Sequence, residues 1–107
     1  MKASDSRIWI VDDDASVRRV LSRALEQDGM QAREFDAPAA VRQALAREAC
    51  PAVLVSDLRM PGESGLELLE FVKAEYPNLP VIVMTAYADL DNSVAALTGG
   101  AFELLPK

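Results

Sequence analysis

Ala52-Val53-Leu54-Val55-Ser56-Asp57-Leu58-Arg59-Met60-Pro61-Gly62 is the stretch from which the rest of the chain is best read. Its first five residues form a short, largely apolar run, Asp57 ends the run, and Pro61-Gly62 signals a turn. A carboxylate at the C-terminal end of a buried strand is costly unless something uses it. The same arrangement stands near the start of the chain, where Ile8, Trp9, Ile10 and Val11 run straight into Asp12, Asp13 and Asp14. Two acidic strand ends in one small domain point to a single site that binds a metal and handles phosphate.

Outward from these two runs, short β-branched segments alternate with longer helical ones. Strands are predicted over 7–11, 30–35, 52–56, 80–85 and 101–105. Between the first two, Val17, Val20, Leu21, Ala24 and Leu25 follow the i, i+3, i+4 spacing of one buried helix face. Asp14 is placed to cap that helix and Gly29 to end it. Val41, Ala44 and Leu45 give the second helix its apolar face, with Asp36 as its expected cap and Pro38 in its first turn. Ser64 and Glu67 have capping-box spacing before Leu66, Leu69 and Val72. A fourth helix, about 91–98, carries a thin stripe of Leu90, Val94 and Leu97 and stops at Gly99-Gly100. The order βαβαβαβαβ, with strands that read as continuous apolar runs, implies an α/β fold with a parallel sheet covered on both faces.

The bulk numbers bound the function. At 107 residues the chain is one domain with room for a core. A net charge of -6 argues against this segment gripping nucleic acid by itself. The single cysteine, Cys50, forms no internal disulfide, which suits a reducing cytoplasm. There is no histidine, so most zinc sites and all Ser-His-Asp or Cys-His catalysis are excluded. Neither a membrane span nor a signal peptide is expected from the hydropathy pattern.

In open α/β sheets, ligands bind beyond the carboxyl ends of the strands, at the switch point of the topology. Asp12 and Asp13 follow the first strand, Asp57 ends the third, Thr85 ends the fourth and Lys107 follows the fifth. Three carboxylates within a few ångströms repel by on the order of 3–4 kcal/mol per close pair at an effective dielectric of about 20. A proton or a cation must relieve that. All-oxygen ligands favour Mg²⁺, with Mn²⁺ next. A carboxylate beside such an ion can attack phosphorus, while a lysine ammonium and a threonine hydroxyl bind phosphoryl oxygens. Each residue also has a plainer reading. Asp14 is best taken as a helix cap, Asp57 alone could be a turn residue, and Thr85 or Lys107 alone says little. The joint pattern at four strand ends carries the specificity. Trp9, Phe35, Phe71 and Phe102 are read as core.

Taken together, Ile10-Val11-Asp12-Asp13-Asp14, Ser56-Asp57-Leu58-Arg59-Met60-Pro61-Gly62, Met84-Thr85-Ala86 and Leu105-Pro106-Lys107 make the chain resemble the receiver domain of two-component response regulators. The stretches Leu79-Pro80-Val81-Ile82-Val83-Met84-Thr85-Ala86, Asp89-Leu90-Asp91 and Gly100-Ala101-Phe102-Glu103-Leu104-Leu105-Pro106-Lys107 narrow the likeness to the NtrC nitrogen-regulation class. The resemblance implies a flavodoxin-like, doubly wound, five-stranded parallel sheet of order 2-1-3-4-5. It implies that Asp57 accepts a phosphoryl group from a phosphohistidine on a sensor histidine kinase. Asp12, Asp13, Asp57 and the backbone carbonyl of Arg59 would hold Mg²⁺, Thr85 would shift to bind the phosphoryl group, and Lys107 would bind one of its oxygens. Chemistry would be limited to phosphorylation at Asp57 and its reversal. The family's output modules, an ATPase and a DNA-binding unit controlling sigma-54-dependent transcription, would bring DNA as a partner, and the setting would be cytoplasmic.

Two departures from the family pattern bear on expectation. The position three before the lysine, an aromatic in many receivers, is Leu104. The family also has a fifth helix over the last strand, for which 1–107 carries no residues, so apolar surface beside strands one and five is expected to be exposed. A dimer, a domain swap or marginal stability would follow. Two other functional classes stand beside the receiver reading. The Asp-x-Asp spacing of Asp12 and Asp14 would suit a phosphohydrolase with Asp12 as nucleophile and Asp14 as acid-base. A phosphate-independent pseudo-receiver would show no Mg²⁺-dependent change in Trp9 fluorescence.

Overall fold

The computed structural model describes residues 6–57, 65–85 and 103–106, with the backbone alone described at 65, 66, 85 and 103–106. Five strands, β1 (Arg7–Val11), β2 (Gln31–Phe35), β3 (Val53–Asp57), β4 (Val81–Thr85) and β5 (Glu103–Pro106), form one parallel sheet in the order β2-β1-β3-β4-β5. Helices α1 (Ala15–Gln27), α2 (Pro38–Arg47) and α3 (Gly65–Glu75) connect the first four. The order is the expected one, and every strand falls within two residues of its predicted place. The fourth helix, the Ser64 half of the capping box and Phe102 lie outside the described residues.

The chain steps from β1 to β2 in one direction and then returns across β1 to reach β3. Right-handed crossovers therefore put α1 on one face and both α2 and α3 on the other. Trp9, Val11, Leu54, Val81 and Val83 point into the second face and pack with Val41, Ala44, Leu45, Leu68, Leu69 and Val72. The alternate residues Ile8 and Ile10 are buried on the α1 side, whereas Val53, Val55 and Ile82 there are only partly covered. Exposed apolar surface beside β1 thus belongs to its neighbours rather than to β1 itself.

The strands differ because their positions differ. β1 and β3 are central, so both faces must be apolar. β2 is an edge, and its Arg33 and Glu34 keep it hydrophilic. Arg33 lies 5.4 Å from the Trp9 ring centre and 4.8 Å from that of Phe35, and one of its nitrogens donates to both Glu48 oxygens at 2.7 and 2.6 Å. At the start of β1, Arg7 donates to the carbonyls of Ala49 and Cys50 and so ties down the approach to β3.

Two helix expectations need correction. The buried side of α1 is not the whole stripe from Val17 to Leu25. Val17, Leu21 and Leu25 are half-buried and Ser22 is buried, but Ala24 is exposed and Val20 is 68% exposed. The helix packs chiefly over β2 with a lesser contact to β1, which rotates the Ser22 side inward and the Val20 side out. The cap of α2 is Ala37, with no side-chain hydrogen bond, and not Asp36. Pro38 at the first helical position has no N–H to be capped, which lowers the need for a polar cap.

The end of α1 agrees with its reading. Asp28 is the C-cap, Gly29 follows with φ +83°, and the amides of Gly29 and Met30 donate to the carbonyls of Glu26 and Leu25. This is a Schellman motif, which wants a left-handed residue at that position. A β-carbon on Gly29 would meet nothing within 4 Å, so backbone strain alone opposes it. Gly29→Ala is expected to lower stability by about 1 kcal/mol, read as an earlier urea midpoint with unchanged slope.

Candidate functional site

The topology switches between β1 and β3, whose register pairs Val11 with Ser56. One residue further along both strands stand Asp12 and Asp57. Parallel pairing therefore brings two acidic side chains level at the carboxyl end of the sheet, before any side-chain choice is made. Asp12 is fully buried, Asp57 is 5% exposed and Asp13 is exposed. One carboxylate oxygen from each of Asp12, Asp13 and Asp57 lies within 4.8 Å of the others. At that separation, and an effective dielectric of about 20, each pair repels by about 3 kcal/mol or more.

The donor set fits a hard cation. It consists of carboxylate oxygens with no nitrogen or sulfur, two of them shielded and one open to water, which suits an ion that keeps part of its hydration shell. Asp12, Asp13 and Asp57 together could hold such an ion.

Asp14 does not join the cluster. Its Oδ1 accepts the amides of Ser16 at 2.8 Å and Val17 at 3.4 Å, as a helix cap should. Its own amide donates to Asp12 Oδ1 at 2.9 Å. One oxygen of the Asp14 carboxylate, which the phosphohydrolase reading needs as acid-base, is thus engaged with the helix backbone. Thr85 closes β4 where the sequence puts it, in register with Pro106, and Leu104 pairs with Val83. Arg59 and Lys107, the remaining expected site residues, lie outside the described residues, as does Ala86.

Arg18 was not among the sequence candidates. From the first turns of α1 its Nη1 donates to the Asp12 carbonyl at 2.6 Å, and its Nε lies 3.4 Å from Glu34 Oε1 on β2. A cation near a helix N-terminus is opposed by the helix dipole unless an acceptor holds it there. That mismatch was the available signal.

Likeness to known proteins extends over almost the whole chain. Residues 8–107 match the family model of the response regulator receiver domain. The chain is 52% identical over 100 residues to the DNA-binding transcriptional regulator NtrC of Proteus hauseri, covering 94% of this chain and 21% of that protein. Among solved structures, full-length FixJ from B. japonicum superposes with a TM-score of 0.88 at 36% identity, covering 95% of this chain and 50% of that one. A response regulator receiver protein from Pseudomonas putida gives 0.90 at 30% identity, covering 99% and 88%. The chain spans about a fifth of the length of the curated relatives it matches. Those relatives are regulators, and none of these likenesses supports the phosphohydrolase or the pseudo-receiver.

Proposed function

The chain belongs to the response regulator receiver domains, close to those of NtrC-type regulators, and on that footing we propose that Asp57 is its phosphoryl acceptor. A carboxylate oxygen of Asp57 attacks phosphorus in the phosphohistidine of a sensor histidine kinase. The new O–P bond forms as the P–N bond breaks, and the imidazole leaves with its electron pair and takes up a proton. The observation that carries the reading is the convergence of Asp12, Asp13 and Asp57 within 4.8 Å at the switch point. Mg²⁺ supplies charge neutralisation there when bound. Asp12 and Asp13 hold it, with the Arg59 carbonyl as a further ligand. Thr85 and Lys107 bind phosphoryl oxygens, and Thr85 passes the change outward by shifting toward them.

The partners follow from the same reading. The phosphodonor is a sensor histidine kinase. The NtrC relatives are named DNA-binding transcriptional regulators, which supports a transcriptional output. Membership of the NtrC class would make that output sigma-54-dependent and concerned with nitrogen, with DNA contacted through it rather than through this acidic domain. Among the described residues no helix is long and apolar enough to cross a membrane, and a cytoplasmic setting suits the kinase reaction. Self-association would rest on the accessible side chains Val20, Val53 and Val55, and sedimentation as a monomer would remove it.

The test uses a small phosphodonor. Incubation with acetyl phosphate and Mg²⁺ is expected to add one phosphoryl group, seen as a mass gain that hydroxylamine removes and that maps to Asp57. A protein whose mass never changes, with Mg²⁺ binding independently verified, overturns the acceptor role.

A further inference from the structure

We infer that Arg18 is a positioning residue for the acidic cluster, setting Mg²⁺ affinity through the backbone of Asp12. The inference rests on the metal reading given above. Asp12 is held by its amide to the Phe35 carbonyl at 3.2 Å, by Oδ1 to the Asp14 amide at 2.9 Å, and by its carbonyl to Arg18 at 2.6 Å. The third contact has the longest reach. A peptide unit is planar, so fixing the Asp12 carbonyl also fixes the Asp13 amide and the direction in which the chain leaves toward the Asp13 carboxylate. Asp13 is exposed, so its direction depends on the backbone that presents it. The Arg18 side chain is 16% exposed and is braced from behind by Glu34 of β2. A planar guanidinium serves both acceptors at once from a fixed fork, and a lysine ammonium reaches one of them.

Two effects of this cation on Mg²⁺ have opposite signs. As a positive charge near the site, Arg18 repels the ion, and its loss would tighten binding. As a holder of Asp12, it keeps the carboxylates converged, and its loss would weaken binding. Positioning wins, because Glu34 already offsets much of the guanidinium field, whereas losing a supporting contact behind metal ligands costs about 10–100-fold in affinity.

Mg²⁺ titration calorimetry on the wild type, Arg18→Met and Arg18→Lys separates the two effects. Arg18→Met keeps the apolar stem and is expected to bind about tenfold more weakly, at the lower end of that range. Arg18→Lys keeps the charge and one donor and is expected to recover part of the loss, remaining about threefold weaker than wild type. Equal or tighter binding by Arg18→Met overturns the inference, as does Arg18→Lys binding no better than Arg18→Met. Should Arg18→Met not fold, an Arg18→Lys affinity equal to wild type overturns it. A wild type that binds no Mg²⁺ removes the metal reading itself, and this inference with it.

Discussion

Asp57→Asn is expected to abolish phosphoryl uptake from acetyl phosphate while leaving the far-ultraviolet spectrum unchanged. The amide is nearly isosteric with the carboxylate, so the packing at the end of β3 is retained. The Ser56 hydroxyl still donates to the backbone carbonyl of residue 57, a 3.0 Å bond that does not involve the side chain. What disappears is the nucleophile, since an amide oxygen is a far poorer attacker of phosphorus than a carboxylate. Uptake should fall below detection rather than merely slow, because no second acidic side chain in the cluster occupies the same place at the end of β3. The measurement is intact mass after phosphodonor treatment. Asp57→Asn that still gains a phosphoryl group would move the acceptor elsewhere, Asp12 being the first residue to examine.

The second large effect concerns the metal. In the wild type, Mg²⁺ at a hundred times its dissociation constant should stabilise the fold by about 2.7 kcal/mol, because it binds the folded chain alone. In Asp12→Asn that gain should be almost wholly lost, with affinity reduced on the order of a hundredfold. The substitution is a clean one: an asparagine oxygen can still accept the Asp14 amide, so the approach to α1 is kept. Removing one of three mutually repelling charges also lowers the electrostatic cost of the metal-free fold. Asp12→Asn should therefore melt no earlier than the wild type without Mg²⁺, yet show almost no upward shift when it is added. A full Mg²⁺-induced shift in the variant would mean that Asp12 is not a ligand.

Much of this architecture could be read from the chain because local and long-range signals agree. β1 and β3 are largely apolar on both faces, as central parallel strands must be, and each runs into aspartate at the carboxyl end of the sheet. Asp14 and Gly29 punctuate α1 by side-chain and backbone chemistry that acts within a few residues, so their roles survive whatever packs around them. The failures are matters of tertiary placement, except for a local one at the start of α2. Spacing alone gives α1 an apolar stripe, but not its rotation over β2, and so it does not distinguish buried Ser22 from exposed Val20. Asp36 is a better cap than Ala37 by propensity, and Pro38 shifts the helix start past it. Arg18 escapes notice because its partner is a backbone carbonyl, and every residue type carries one of those. Only the fold brings that carbonyl within 2.6 Å of a guanidinium.

The position of β1 between β2 and β3 has a kinetic consequence. β1, α1 and β2 are consecutive and can associate with little loop to close, but β1 meets β3 only after β2 and α2 have been bypassed. The acidic residues are divided along that same line, with Asp12 and Asp13 on the early unit and Asp57 on the strand that arrives later. An ion bridging them cannot bind until the two strands have paired, and strand separation must release it. Bound Mg²⁺ should then act on the rate at which the sheet opens more than on the rate at which it assembles, lengthening the lifetime of the native state without hastening its formation.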